Sequence, residues 1–198
     1  MTKGRLEAFT DGVLAILITI LVLELRAPHG AELDHLRPIA PKVLSYILSF
    51  VFLAIYWNNH HHLMHVCDKV DGRILWANIH LLFWLSLTPF ATAWMGENHF
   101  ASLPVALYGV VLLMAGVAFT ILVRALIARH GPDSTLARAV GADRKGRISL
   151  LVYGLGVASA FANRWLALGA YVTVVIIWLV PDRRIERILA DGNAPATG

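Results

Sequence analysis

Between residues 6 and 181 the chain carries six apolar segments with few internal charges, joined by short polar stretches. A helix crosses a bilayer with about 20 such residues, more when it tilts. The segments fall at about 6–26, 41–67, 72–97, 102–130, 147–162 and 164–181, and the last two are joined by "FANRW". Composition agrees. Of 198 residues, 58% are hydrophobic and 15% charged, with a mean hydropathy of +0.65; a soluble domain has about 45–50% and about 25%. The expected class is an all-α membrane protein with six transmembrane helices, one domain over residues 1–190 and a disordered tail over 191–198.

The first segment follows Lys3 and Arg5 and so resembles a signal peptide. Its apolar run is too long for one, Thr10 and Asp11 interrupt its start, and "LRAPHG" is a poor cleavage site. It is read as a retained helix. The single cysteine, Cys67, excludes an intrachain disulfide and a cysteine-based metal site. Six Trp, five Tyr and eight Phe supply interfacial belts and helix packing.

Seventeen basic minus thirteen acidic residues leave +4. No compact basic module is present, so the charge is read as membrane topology rather than nucleic-acid binding. With a cytoplasmic N-terminus, Lys3, Arg5, Lys69, Arg73, Arg124, Arg129, Arg138, Arg144, Lys145, Arg147, Arg183, Arg184 and Arg187 lie inside. Arg26, Arg37, Lys42 and Arg164 lie outside, which makes 13 against 4. The positive-inside rule then puts both termini in the cytoplasm, as an even helix count requires. Glu24, Glu32, Asp34 and Glu97 fall in the outer loops. They are either ordinary solvated charge or an acidic mouth that attracts cations. Pro41 opens the second segment, where proline is tolerated, and Pro181 ends the sixth. Pro89 sits inside the third and should kink it, with Thr88 or Ser86 satisfying the freed carbonyl.

The first segment, "RLEAFTDGVLAILITILVLEL", holds a carboxylate about one turn inside the membrane boundary. A charge at membrane depth is costly, so such acids face protein or water. At 100° per residue Gly12, Ile16, Thr19, Ile20 and Leu23 share one stripe, with Phe9 at its cytoplasmic end. Asp11 lies about 140° from Ile16. Asp11 is therefore expected to point into the subunit, towards helices two and three, as a structural polar group or as an ion ligand. Periodicity alone reads the stripe as lipid-facing or core surface. If the helix lines a pore, the same rings of Ile and Leu become a constriction that gates by dewetting.

The opening "RLEAFTDGVLAI" resembles the R-x-x-x-F-S-D signature of the transmembrane protein 175 family of potassium channels, in its bacterial branch. Arg5, Phe9 and Asp11 match, and Thr10 keeps the hydroxyl of the usual serine. "YWNNHHHLMH" resembles the W-x-x-H-H-like end of that family's second helix, and "LSLTPFATAWMGE" resembles its third helix. The resemblance implies a homotetramer of six-helix subunits whose first helices line a central cation pore, with K+ as the permeant ion and no cofactor. Carried over by position, Ile16 and Leu23 become apolar rings of the constriction, Thr19 a hydroxyl ring between them, and Ile20 close by. Phe9 and Gly12 stand at the pore mouth. Arg5, Phe9, Thr10 and Asp11 become a packing motif with polar partners on helices two and three, among them Trp57, His60, His61 and His80. The first ring is often leucine in that branch; Ile16 is stiffer at χ1, which bears on pore radius.

"VYGLG" at 152–156 is a poor match to a T-V-G-Y-G filter, so any selectivity must come from pore side chains. No arginine ladder suited to voltage sensing occurs. His60, His61, His62 and His65 form one cluster, in which His61 and His65 have the i, i+4 spacing of a metal-ligand pair. The cluster has three readings: capping the helix end, a metal site, or titration near neutral pH with Asp11 as partner of His60 or His61. The alternative function is a secondary transporter or metal-ion carrier using Asp11 and the His60–His65 cluster. It is disfavoured by the lack of an internal repeat. No H-E-x-x-H, G-x-S-x-G or P-loop points to an enzyme.

Overall fold

The computed structural model describes residues 2–67, 69–141 and 143–179. Among them the structure is helical, without strands: α1 Lys3–Leu23, α2 Ala40–His65, α3 Gly72–Ser86, α4 Thr88–Glu97, α5 Ser102–His130, α6 Thr135–Val140, α7 Arg144–Ser159 and α8 Arg164–Leu179. A short 3₁₀ helix, Leu33–Ile39, leads into α2. Pro181, the arginines at 183, 184 and 187, and the tail expected at 191–198 lie outside the described residues.

Among the described residues four helical stretches are long and apolar enough to cross a membrane: Lys3–Leu23, Leu33–His65, Gly72–Glu97 and Ser102–His130. The first three match the first three expected segments, with α1 starting three residues early, and the fourth is α5. The last two expected segments are α7 and α8, each 16 residues long. At 1.5 Å per residue α7 is about 24 Å long, shorter than the ~30 Å hydrocarbon core, and α8 is described as far as Leu179.

Pro89 divides the third segment as expected. The chain leaves α3 at Leu87, whose φ and ψ are −82° and −10°, and Pro89 enters the first turn of α4, where its missing N–H costs no helical bond. The hydroxyls act differently from expectation. Ser86 Oγ donates to the Phe83 carbonyl at 2.7 Å, a back-bond within its own turn. Thr88 Oγ1 is buried without a partner among the described residues.

α5 is the spine of the bundle and packs on α3, α4, α7 and α8. Close approach is made possible by small residues, as in membrane bundles generally. A Cβ at Gly109 or at Gly156 would run into the ring of Tyr171. Tyr171 fills that gap between α5, α7 and α8, and its hydroxyl donates to the Val105 carbonyl at 3.3 Å. Trp178 Nε1 donates to Ser149 Oγ at 2.9 Å and ties α8 to α7.

One end of the bundle gathers Lys3, His65, Lys69, Asp71, Arg129 and His130. Lys3 Nζ approaches the His65 carbonyl at 3.5 Å, the Lys69 N–H meets His130 Nε2 at 3.3 Å, and Arg129 pairs with Asp71 at 3.8 Å. At the other end Lys42 bonds Glu97 at 3.0 Å.

Candidate functional site

α1 is apolar on nearly every side, so its faces are told apart by what they meet. Leu6, Thr10, Leu14, Leu17 and Leu21 are buried, and their spacing of three and four residues makes one continuous stripe. That stripe packs on α2, α3 and α4. The opposite face is open. Phe9, Ile16 and Leu23 are 56%, 60% and 71% exposed, Gly12 and Thr19 are exposed, and Ile20 is exposed at 38%. A Cβ on Gly12 would meet nothing within 4 Å. The six residues expected on one stripe therefore share a face, and that face is free of the other described helices.

The hydroxyl on that face has a defined orientation. Thr19 Oγ1 donates to the Ala15 carbonyl at 2.8 Å. Its proton is used within the helix, so its lone pairs are presented outward as acceptors.

The motif at the start of α1 divides between two networks. The first is buried. His60 Nε2 lies 3.0 Å from Asn78 Oδ1, Asn78 Nδ2 donates to Thr10 Oγ1 at 2.9 Å, and Thr10 Oγ1 donates to the Leu6 carbonyl at 3.0 Å. With Asn78 oriented so, His60 carries its proton on Nε2 and every link has one donor and one acceptor. Thr10, His60 and Asn78 are each at most 1% exposed. The chain crosses α2, α3 and α1 in turn.

The second network lies at the half-open seam between α1 and α2. Lys3 meets the His65 carbonyl, Glu7 Oε1 meets His61 Nδ1 at 3.4 Å, and Asp11 Oδ1 accepts from Trp57 Nε1 at 3.1 Å. Each step is four residues forward on α1 and four back on α2. Two antiparallel helices therefore meet in constant register, one turn per contact. Trp57 and His61 also stack, with centroids 6.1 Å apart and ring planes at 21°.

Several expected placements differ. Asp11 reaches α2 as expected, but Thr10 is the fully buried motif residue and the one that bonds α3, through Asn78. Asp11, one residue and 100° further round, is half-buried on Trp57. His60, considered as a partner for Asp11, is bonded to Asn78 instead. Arg5 is exposed and makes no side-chain bond among the described residues, and Phe9 is exposed beside it. His80 accepts from Trp84 Nε1 at 2.9 Å on its own helix. It stands two residues, or about 200°, from Asn78 and so faces away from the buried network. His61 and His65 lie 6.4 Å apart by ring centroid, yet the described residues hold no group of three or more His, Cys, Asp or Glu placed for a metal. Asn78 and Glu7 were not singled out by the sequence reading. Asn78 had a signal: it is the one amide inside the apolar run "ILWANIHLLFWLS".

Comparisons with known proteins bear on this arrangement. Residues 5–89 match the family model described as the endosomal/lysosomal potassium channel TMEM175. The chain is 54% identical over 191 residues to a potassium channel of a Chryseobacterium species, covering 96% of this chain and all of that one. It is 31% identical over 180 residues to a potassium channel of Streptomyces collinus, covering 85% and 87%. Its fold is similar to the crystal structure of a lysosomal potassium-selective channel TMEM175 homolog from Chamaesiphon minutus. There the TM-score is 0.79, at 27% identity over 92% of this chain and 97% of that one.

Proposed function

The chain belongs to the TMEM175 family of potassium channels, and from that premise we propose that it conducts K+ passively through a pore lined by α1 from four copies of itself. The family is one of ion channels, not enzymes, and K+ is the permeant ion. In the proposed assembly each subunit contributes six membrane helices from a domain over residues 1–190. The protein sits in the cell membrane, with both termini in the cytoplasm.

The observation that carries this reading is the open stripe Phe9, Gly12, Ile16, Thr19, Ile20 and Leu23. Ile16 and Leu23 are seven residues apart, about 10.5 Å along the helix. Fourfold repetition turns them into two apolar rings with the Thr19 hydroxyls between. Narrow apolar rings expel water and so close a pore without a plug. An ion between them loses part of its hydration, which the Thr19 oxygens replace. K+ holds its water less tightly than Na+, so the same loss favours K+. Ile20 narrows the passage beside Thr19, and Phe9 and Gly12 form the mouth. The Arg5–Phe9–Thr10–Asp11 motif holds the geometry. Thr10 and Asp11 anchor α1 to α2 and α3, leaving Arg5 and Phe9 for a neighbouring subunit.

The test is purified protein in liposomes with a K+ gradient and no proton or sodium gradient. Downhill flux is expected, and Ile16→Asn or Leu23→Asn should wet the constriction and raise it. Flux strictly coupled to a second ion rejects a channel; unchanged flux in both variants removes the stripe from the pore.

A further inference from the structure

A groove of about 210 Å³ opens between α5, α6 and α7, away from α1. At ~30 Å³ per water in the liquid this is room for about seven waters, enough for a phosphodiester and its first carbons. α5 contributes Thr120, Val123, Arg124 and Ile127, which share one helix face by their spacing. α7 contributes Arg147 and Leu150, one turn apart, and Val140 and Gly141 close the end.

The two arginines are the unusual feature. Among the described residues neither guanidinium has a hydrogen-bond or ion-pair partner. The one carboxylate in the groove, Asp143, is occupied in capping α7, where it accepts from the Gly146 N–H at 3.1 Å. The groove thus sets two arginines against one carboxylate, a net positive charge, beside aliphatic Val123, Ile127 and Leu150. Its depth is also defined. Arg124 lies six residues before the end of α5, about 9 Å inward of His130. That end is the basic one, with Lys3, Lys69 and Arg129 around it. A cation pair at that level, with aliphatic wall beneath, matches the charge and the polarity gradient of a lipid at the headgroup boundary. Arginine also suits phosphate because its fork donates two bonds at once.

We propose that this groove binds the phosphodiester headgroup of an anionic phospholipid of the cytoplasmic leaflet, held by Arg124 and Arg147. The first acyl carbons run along Val123, Ile127 and Leu150. The proposal rests on the membrane orientation given above and not on conduction.

The test uses the full chain in mixed micelles of phosphatidylcholine with a minor share of phosphatidylglycerol, with retained lipid counted by native mass spectrometry. Wild type is compared with an Arg124→Gln/Arg147→Gln double variant, and with Arg164→Gln at the opposite end. Wild type and Arg164→Gln should retain phosphatidylglycerol preferentially. The double variant should lose that preference by on the order of tenfold, and millimolar inorganic phosphate should not displace the lipid. Undiminished retention in the double variant overturns the proposal. Complete displacement by inorganic phosphate overturns it too, and assigns the groove to free phosphate. If circular dichroism shows that the double variant has lost helicity, Arg147→Gln alone, at an exposed first-turn position, replaces it; undiminished retention there also overturns the proposal. K+ flux measured on the same samples separates failure of the lipid site from failure of the channel reading.

Discussion

The two faces of α1 are built from nearly the same residues and have opposite surroundings. Leu6, Leu14, Leu17 and Leu21 are at most 6% exposed, while Ile16 and Leu23 are 60% and 71% exposed. In water such a difference would show as amphipathicity. In a bilayer lipid is as apolar as leucine, so composition cannot mark the inner face. The polar residues mark it instead. Thr10 on the inner face is committed to Asn78 and His60, and Thr19 on the outer face donates only to its own helix. A satisfied hydroxyl fixes a helix, whereas one with free lone pairs is available to an ion.

The sharpest way to break this comparison is to truncate one residue on each face. Leu14→Ala removes packed atoms and should lower stability by about 2–4 kcal/mol, read by thermal unfolding in detergent. Asn78→Ala strands the His60 N–H and deprives Thr10 of its donor. It should cost about 1–3 kcal/mol, and Asn78→Asp is not expected to rescue it, because a carboxylate has no N–H for Thr10. Trp57→Phe removes the bond to Asp11 at an exposed seam and should cost about 0.5–1 kcal/mol. Ile16→Ala should change unfolding by about 0.5 kcal/mol or less, yet raise K+ flux in liposomes. Equal destabilisation by Ile16→Ala and Leu14→Ala would erase the distinction between the faces.

Much of this was legible in the sequence. Apolar length placed α1, α2, α5 and the interrupted α3–α4 pair, because a bilayer demands long unbroken runs. Proline placed the break at Leu87. The 3.6-residue period put Phe9, Gly12, Ile16, Thr19, Ile20 and Leu23 on one face, since that grouping follows from helix geometry alone. What each face meets was not legible. Asp11 meets α2 as its charge suggested, but the fully buried position facing α3 falls to Thr10, 100° away. Only the packing of α1 on α2 and α3 decides between neighbours so close in angle. The seam register linking Lys3, Glu7 and Asp11 to His65, His61 and Trp57 depends on two helices at once, so no single-helix period reveals it. The same is true of the Arg124–Arg147 groove, whose halves are 23 residues apart.

The central claim is that the open face of α1 meets water and ions rather than lipid. It is tested most directly at Thr19. In a Cys67→Ser background, Thr19→Cys channels in liposomes are treated with a membrane-impermeant thiol reagent while K+ flux is followed. The account predicts that the reagent labels position 19 and blocks flux, whereas Leu151→Cys, on the exposed face of α7, leaves flux unchanged. Labelling at position 19 with flux intact, or no labelling at all in conducting channels, would contradict it.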